Sequence, residues 1–462
     1  MSRSTPASAA SPAPKSAREP DGSLLILALL APVVGAASGL IGAAFRLALA
    51  EADRFRDAAI VWAHGWKIGG FFIVAAACAA AVAFAAWLVR RFSPYASGSG
   101  IPQVEAILND ELPPIPPRLL FVKFFGGLSA IGAGLALGRE GPSVQMGAAV
   151  AHIVAKVSGR TWADCKVLIA AGAGAGLATA FNAPIAGAVF VLEELLRRFD
   201  TRTAIAALGA SAAAIAVARA LLGAAPDFTV EPLAYVGAEL WLLFVALGAV
   251  AGLAGHLYNG ILLRTLAVMD RLDRWPIELR AAAIGAAVGM LGFFLPGLIG
   301  GGDDITQRTL AGEAALTALP LAFVLRFGLG PVSYAAPVPG GLFAPILVLG
   351  AQLGLFCGEL CRLAVPAAGL DPIAFAVVGM AAFFTGVVQA PVTGIVLVIE
   401  MTAGFTMLLP MIAACFAAML VPNLLRGVPI YTSLLERVCR LQQSDAGSAA
   451  TRTADARAKN SR

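Results

Sequence analysis

The sequence predicts an all-α, polytopic membrane protein. Hydrophobic residues make up 59% of the 462-residue chain and charged residues only 13%, whereas a soluble domain carries about 25% charged residues. The chain also holds 50 glycines and 28 prolines, and several of its apolar stretches are shorter than the roughly 20 residues of a full membrane span. Interrupted helices persist in a membrane only where they are buried in protein or line a watery cavity. We therefore expect many short, tilted and broken helices, as in transporters and channels.

The helices are expected within a membrane core that spans residues 23–440. In chain order its apolar stretches lie near 24–50, 69–89, 119–137, 143–157, 167–180, 185–192, 202–222, 236–263, 276–299, 313–331, 343–366, 373–388, 392–399 and 404–425. Residues 1–22 are rich in Ser, Ala and Pro and lack the order of a signal peptide, so they predict a disordered N-terminal tail. Residues 441–462 predict a second disordered tail, and no soluble regulatory domain is expected at the C-terminus.

The charge pattern favours a lipid bilayer over nucleic acid as the partner. The net charge is +5, but no basic run is interleaved with aromatic residues. Cytoplasmic loops collect basic residues, and here they flank apolar stretches: Arg90, Arg91, Arg197, Arg198 and Arg426. The six cysteines form no CxxC pair and the three histidines are scattered. We therefore predict no metal site, no cofactor and no enzymatic activity.

Matching segments at nearly the same spacing predict that the chain consists of two related halves. Residues 172–184 align with residues 379–391, and the match continues to Glu193 and Glu400, a spacing of 207 positions. A second set upstream matches at a spacing of 203: Pro142 and Gly147 against Pro345 and Gly350. The halves would run roughly from 24 to 225 and from 236 to 431. Chance similarity between Ala/Gly-rich helices is the alternative. Duplicated halves with broken helices point to a substrate site at their interface.

A charged segment between two apolar stretches carries the first candidate site residue. It reads Gly138-Arg139-Glu140-Gly141-Pro142. An arginine and a glutamate at membrane depth each cost roughly 2.5–3.5 kcal/mol on insertion scales, so they are retained mostly where they line a pathway. The flanking glycines and proline predict a helix start, whose free N–H groups attract anions. Glu140 beside such an anion site is a candidate gate.

Three further segments offer hydrogen-bond donors without full positive charges. Ser99 lies in Gly98-Ser99-Gly100-Ile101-Pro102, where its hydroxyl either caps a helix or faces the pathway. Leu342 and Phe343 lie in Gly340-Gly341-Leu342-Phe343-Ala344-Pro345, another helix start with exposed N–H groups. Tyr431 adds a phenol. Taken singly, each segment is more typical of structure than of function, but weak donors together suit an ion that must both bind and leave.

These segments together resemble the chloride channel and transporter (CLC) family. The resembling motifs are GSGIP at 98–102, GREGP at 138–142, GLFAP at 341–345 and a late tyrosine at 431. Two more segments are similar to family segments: Lys123-Phe124-Phe125-Gly126-Gly127 and Phe181-Asn182-Ala183-Pro184. The resemblance extends over about residues 24–437. It implies a CLC-type fold built from an inverted repeat, a homodimer with one pathway per subunit, and a multi-pass location in the inner (plasma) membrane.

The resemblance also implies a role for each candidate residue. The hydroxyls of Ser99 and Tyr431 and the amides of Leu342 and Phe343 would hold a central chloride ion. Glu140 would be the external gate, whose ionised carboxylate occupies an anion position and whose protonated form swings away. Proton and chloride would then compete for one set of donors.

Glu194 bears on the choice between an exchanger and a channel. Exchangers of the family carry an inner glutamate here, which would pass protons between the cytoplasm and Glu140, whereas channels usually lack it. The alternative is that Glu194 pairs with Arg197 or Arg198 at a helix end. We expect structural roles for the neighbouring Glu193 and for Arg139. Lys123 is expected either to add positive potential from a distance or to pair with a buried acid.

We therefore expect a secondary active transporter that exchanges chloride for protons. A passive chloride channel of the same fold is the first alternative, and a non-transporting membrane scaffold or sensor is the second. Two departures from the family pattern stand out. Ala336-Pro337 replaces the usual Ser-Gly ahead of the third motif, so the geometry of that site is open, and Gln103 stands where an acid is frequent.

Overall fold

The computed structural model describes residues 24–234, 237 and 240–440. Across these residues the regular structure is helical, and the only pairing of strand type is two isolated bridges. The all-α prediction is therefore confirmed. The two predicted tails, 1–22 and 441–462, lie outside the described residues.

The helices follow one another along the chain with short connections. They are α1 (Leu24–His64), α2 (Ile68–Phe92), α3 (Ile101–Leu108), α4 (Arg118–Gly132), α5 (Glu140–Val157), α6 (Trp162–Phe181), α7 (Pro184–Phe190), α8 (Thr201–Leu222), α9 (Trp241–Asp270), α10 (Ile277–Phe294), α11 (Asp303–Leu310), α12 (Leu319–Tyr334), α13 (Phe343–Ala364), α14 (Pro372–Val388), α15 (Pro391–Thr402) and α16 (Leu408–Leu424). A π-helical turn, Val191–Leu195, extends α7. A C-terminal helix begins at residue 430 and is described to residue 440.

Helix lengths confirm the expected mixture of full and broken spans. Eight helical segments within the described ranges are long and apolar enough to cross a membrane, from α1 through Phe405–Leu424. By contrast, α3 has 8 residues and α7 has 7, so each rises only about 12 Å at 1.5 Å per residue. Helices this short cannot cross a membrane, so the backbone groups at their ends need partners inside the protein.

The two halves repeat the same close helix crossing. In the first half α5 packs on α6, where a Cβ added to Gly147 would lie 2.1 Å from Gly172 O. In the second half α13 packs on α14, where a Cβ added to Gly350 would lie 2.5 Å from Gly379 O. Small residues let two backbones approach in this way. The sequence repeat therefore marks equivalent crossings in two related halves, as predicted.

A reciprocal exchange of caps shows that the repeat is inverted. Glu193, at the end of the first-half segment, accepts hydrogen bonds from Val392 N (3.0 Å) and Thr393 N (2.6 Å) at the start of α15. Glu400, near the end of α15, accepts them from Ile185 N (3.1 Å) and Ala186 N (2.8 Å) at the start of α7. Because the end of the α7 segment contacts the start of α15, and the end of α15 contacts the start of α7, these two equivalent helices run antiparallel. The same bonds give Glu193 the structural role expected for it.

Candidate functional site

Backbone hydrogen bonds join the three glycine-rich segments. Gly98 N donates to Val338 O (2.9 Å) and Gly340 N donates to Gly98 O (3.1 Å). Gly138 and Gly341 exchange a reciprocal pair of N–H···O bonds of 2.9 and 2.8 Å. These bridges fix the segments of the first half against the third segment in the second half. The predicted convergence of the motifs is therefore present.

Helix starts meet at this junction. The helices α3, α5 and α13 begin directly after the three segments, and Gly141 lies so close to Ser99 that an added Cβ would be 2.6 Å from Ser99 O. The five residues that we expect to hold or gate an anion are all almost fully buried: Ser99, Glu140, Leu342, Phe343 and Tyr431. Helix starts and hydroxyls from both halves therefore meet at a buried position, and helix starts are places where small anions bind.

The Glu140 side chain binds the start of α13. Its Oε1 accepts a hydrogen bond of 2.6 Å from Phe343 N at the start of α13, the short length typical of a charge-assisted bond. Its Oε2 has no partner among the described residues. The absence of a side chain at Gly341 makes room for it, because a Cβ there would lie 2.2 Å from Oε1. A carboxylate thus fills the place that the sequence assigned to an anion.

Ser99 and Tyr431 also lie at the junction. The residue that caps α3 is Gly100, in the left-handed region at φ 89°, and the Ser99 hydroxyl makes only a long contact of 3.5 Å with Ile101 N. Ser99 is therefore not the cap of α3, and a hydroxyl that faces the pathway stays a prediction. The Tyr431 hydroxyl interacts with Ser99 at a distance and has no hydrogen-bond partner in the described part of the chain. Its ring packs beside Phe343, with centroids 5.8 Å apart.

Lys123 holds the Ser99 segment from behind. Its side chain is fully buried, and Nζ donates to Gly98 O (2.7 Å) and Ser99 O (3.3 Å). The sequence left open a buried pair with an acid, and that alternative is wrong because the partners are carbonyl oxygens. By binding these two carbonyl oxygens, Lys123 fixes the backbone of the Ser99 segment.

Arg139 has the structural role expected for it. Its guanidinium donates to Ala180 O (2.8 Å), Asp303 (2.5 Å) and Asp227 (3.0 Å), and Asp227 also accepts from Arg46 (2.8 Å). Arg46, Arg139 and Asp303 lie in the wall of a cavity of about 630 Å³ that reaches Gly138, close to Glu140 in sequence. We call it the first cavity. The paired guanidinium cannot trap an anion as a free one would.

Glu194 lies on the π-helical turn and faces Arg197. The two side chains are 3.4 Å apart, and Arg197 also approaches Glu105 (3.6 Å) and donates to Thr432 Oγ1 (2.8 Å). The pairing that the sequence left as the alternative is therefore present. Proton transfer by Glu194 stays a prediction. Tyr431 is within electrostatic range of both Glu194 and Glu140.

A second cavity approaches Ser99 from a different side. Its volume is about 300 Å³, and Tyr334, Arg280 and Arg437 contribute to its walls. Pro337, from the unusual Ala336-Pro337 pair, also lines it, yet the bridge between Gly98 and Val338 is intact. The departure therefore alters the wall of the cavity and leaves the junction formed.

The sequence did not identify three residues that the structure places at the site. Asp227 and Asp303 are far from Arg139 in sequence, and only folding brings them together. Tyr334 ends α12, where its aromatic ring looked like an ordinary core residue. Its position six residues before Gly340 was the one available signal.

Comparison with known proteins agrees with this architecture. The family model described as voltage gated chloride channel matches residues 81–423. A protein of Salmonella arizonae named H(+)/Cl(-) exchange transporter ClcA is 36% identical over 429 residues, which cover 91% of this chain and 90% of that protein. The crystal structure of a slow cyanobacterial Cl⁻/H⁺ antiporter is 33% identical, covers 90% of this chain and 99% of its own, and has a TM-score of 0.87.

A more distant structure shares the fold. A eukaryotic CLC transporter is 24% identical, with a TM-score of 0.75, and covers 89% of this chain and 74% of that one. The family match, the identity to the transporters and the inverted helical repeat lead to one assignment: the chain belongs to the CLC family of voltage-gated chloride channels and transporters.

Proposed function

We propose that this protein exchanges chloride for protons across the inner (plasma) membrane. Relatives named as such exchangers cover nearly its whole length. The observation that carries the proposal is the 2.6 Å hydrogen bond from Phe343 N to the Glu140 carboxylate. A protonatable group there binds the same donor that an anion needs, so the proton and the anion are linked.

Competition for the Phe343 amide gives the coupling step. While Glu140 is ionised, its carboxylate holds the helix start and excludes chloride. Protonation removes the charge and with it most of the preference for this position, because helix ends and N–H groups favour anions by about 1–2 kcal/mol in partly buried settings. The neutral side chain then leaves, and chloride takes the amides of Leu342 and Phe343. In this assignment the hydroxyls of Ser99 and Tyr431 complete its shell.

The distribution of basic residues supports the direction of the pathway. The second cavity opens near the end of α9 and the start of α10, and basic residues collect there and at the nearby end of α2: Arg90, Arg91, Arg271, Arg274 and Arg280. Cytoplasmic loops carry this excess of positive charge. The second cavity is thus assigned to the cytoplasm, and the first cavity, beside Glu140, to the outside.

Glu194 is proposed to supply protons from the cytoplasmic side. Its side chain is 3% exposed, and both Glu194 and Glu105 lie near Arg197. Glu111, in the loop after α3, accepts a hydrogen bond from Cys439 near the end of the C-terminal helix. The contact of Glu194 with Arg197 is a long 3.4 Å, so the carboxylate is held in place while remaining able to exchange a proton. Protons and chloride would then share the outer part of the route and separate near Tyr431.

Liposome flux measured with chloride and pH electrodes together tests the proposal. Glu140→Ala should abolish proton movement and keep chloride efflux, because the competing charge is gone. Glu194→Gln should impair proton movement and keep chloride efflux. Glu51→Gln, which changes an exposed carboxylate on α1, is the matched control and should behave as the parent protein.

The outcomes separate the exchanger from its alternatives. Proton pumping that survives in Glu140→Ala would refute the gate assignment, and equal loss of both fluxes in Glu194→Gln would indicate a structural role. A reversal potential that ignores a pH gradient would identify a passive channel. The absence of chloride efflux from vesicles with the parent protein would identify a scaffold or sensor.

We also propose that the protein is a homodimer with one pathway per subunit, as the family resemblance implies. Both halves of the pathway described above come from one and the same chain, so the pathway itself needs no second subunit. Light scattering of the purified protein in detergent should give twice the subunit mass, and a monomeric mass would refute this assignment.

A further inference from the structure

Tyr334 places a third hydroxyl beside the Ser99 segment. This residue ends α12 and is 8% exposed. Its Oη accepts a hydrogen bond of 3.3 Å from Ser99 N. It also lies over Gly98, where an added Cβ would be 3.1 Å from Oη. The position after Gly98 therefore presents its backbone donor to a phenol, and a side chain at Gly98 would crowd that phenol.

The Tyr334 hydroxyl still has its own proton to donate. A phenol can accept and donate at once, and its oxygen already accepts from Ser99 N. Across the described residues no acceptor receives its O–H. A buried hydroxyl that lacks an acceptor is costly, which indicates that the group faces a ligand or solvent. An oxygen that accepts a hydrogen bond also becomes a stronger donor through polarisation.

The cavity that Tyr334 lines is suited to a small anion. Its wall contains two arginines, Arg280 and Arg437, and one acid, Asp270. Arg437 pairs with Asp270, while Arg280 donates to Met269 O and keeps a buried Nε without a partner in the described chain. The excess of positive charge over negative charge attracts anions into the cavity and towards the phenol.

We propose that the Tyr334 hydroxyl is an anion ligand at the cytoplasmic end of the pathway, where it donates to chloride or a similar small monovalent anion before the ion reaches Ser99 and Tyr431. This role rests on the proposed transport function and adds a residue to it. The hydrogen bond from the Ser99 N–H polarises the Tyr334 phenol, and the polarised phenol binds the anion. The two tyrosines would then hold the ion in turn as it passes Ser99.

Graded changes of the donor test this role. Tyr334→Phe removes the hydroxyl and keeps the ring, and chloride binding to the purified protein, measured by calorimetry, should weaken roughly tenfold, about the effect of one hydrogen bond to a charged group. Incorporation of 3,5-difluorotyrosine at position 334 makes the phenol a stronger donor and should tighten binding. Tyr258→Phe is the control, because this buried tyrosine packs on Gly330 and Phe327, apart from both cavities.

The proton coupling ratio gives an independent readout. It should stay at the parent value in Tyr334→Phe, because Glu140 and Glu194 are untouched, while the chloride concentration for half-maximal efflux should rise. A merely structural residue would instead lower the thermal midpoint without chloride and change no ion-specific parameter. The fluorinated variant keeps the hydroxyl, so it provides the test even if Tyr334→Phe fails to fold.

Each result has a distinct meaning. Chloride affinities of Tyr334→Phe and of the fluorinated protein within twofold of the parent would overturn the role of Tyr334. Tighter binding in Tyr334→Phe would overturn it too, because the hydroxyl would then compete with chloride for Ser99 N. If the parent protein itself neither binds nor moves chloride, the proposed function fails, whatever Tyr334 does.

Discussion

The reciprocal caps of the two halves allow a sharp separation of structural from transport roles. Glu193 and Glu194 are adjacent, yet Glu193 binds the start of α15 and Glu194 faces Arg197. We predict that Glu193→Gln destabilises the fold and leaves proton coupling intact, whereas Glu194→Gln impairs coupling. The change from carboxylate to amide keeps the size of the side chain, so the two substitutions are a matched pair.

The number of hydrogen bonds sets the magnitude for Glu193→Gln. Its carboxylate accepts from Val392 N, Thr393 N and Thr393 Oγ1, at 3.0, 2.6 and 2.6 Å. Bonds to a charged group contribute about 1.5–3 kcal/mol each. The amide keeps one acceptor oxygen, and because the side chain is partly exposed, values near the lower limit apply. With the amide oxygen in the place of Oε2, the bond from Val392 N is lost and the two bonds from Thr393 become neutral and weaker, which gives roughly 2 kcal/mol of lost unfolding free energy.

Glu400→Gln is the symmetry-related control. Glu400 accepts two bonds, from Ile185 N and Ala186 N, so its loss should be smaller, about 1 kcal/mol by the same reasoning. Unfolding free energies from titration with sodium dodecyl sulfate, measured beside liposome fluxes, would check both values. Two results would refute the reasoning: an unfolding free energy of Glu193→Gln equal to that of the parent, or a loss of proton coupling as large as in Glu194→Gln.

Three further predictions follow from single contacts. Asp227→Asn should lower the unfolding free energy by about 3 kcal/mol, because it leaves Arg46 and Arg139 without their shared buried carboxylate; the exposed Asp304→Asn should not, and equal effects would contradict this. Gly341→Ala should push the Glu140 carboxylate off Phe343 N, since the added Cβ would lie 2.2 Å from Oε1; proton coupling should fall in liposomes, while Gly328→Ala, with nothing within 4 Å, should match the parent. Hydrogen bonds from Lys166 and Trp162 lower the pKa of Asp110 in the loop after α3, so its stabilising contribution exists above the unfolded-state pKa of about 3.9 and is lost as pH falls through the folded-state value. The difference in thermal midpoint between Asp110→Asn and the parent should therefore be present at pH 7 and vanish at low pH, and a difference that is independent of pH would exclude this origin.

Much of the fold was predictable because the membrane restricts the possible structures. A backbone in lipid must satisfy its own hydrogen bonds, so apolar composition with frequent Gly and Pro predicts helices and their interruptions. The spacings of 203 and 207 positions predicted the halves, since the same close crossings, Gly147 on Gly172 and Gly350 on Gly379, require the same small residues. The direction of the repeat was open in the sequence, and the crossed caps of Glu193 and Glu400 decided it.

The site divides in the same way. Local patterns around Ser99, Glu140 and Phe343 predicted helix starts, because glycine and proline constrain the backbone within a few residues. The partners of buried charges were not predictable. Lys123 proved to bind carbonyl oxygens, and Arg139 binds Asp227 and Asp303. A buried charge needs a partner nearby in space, and for Arg139 the acids that supply it are 88 and 164 positions away in the sequence.

The sequence by itself therefore determined the helical membrane core, the duplication and the helix starts that offer N–H groups to an anion. Only the tertiary structure decided that Glu140 accepts a hydrogen bond from the amide of Phe343 and that Tyr334 accepts one from the amide of Ser99. The physical reason is range. Helix formation and capping depend on neighbours along the chain, whereas competition for one hydrogen-bond donor depends on distances of about 3 Å between segments that folding alone brings together.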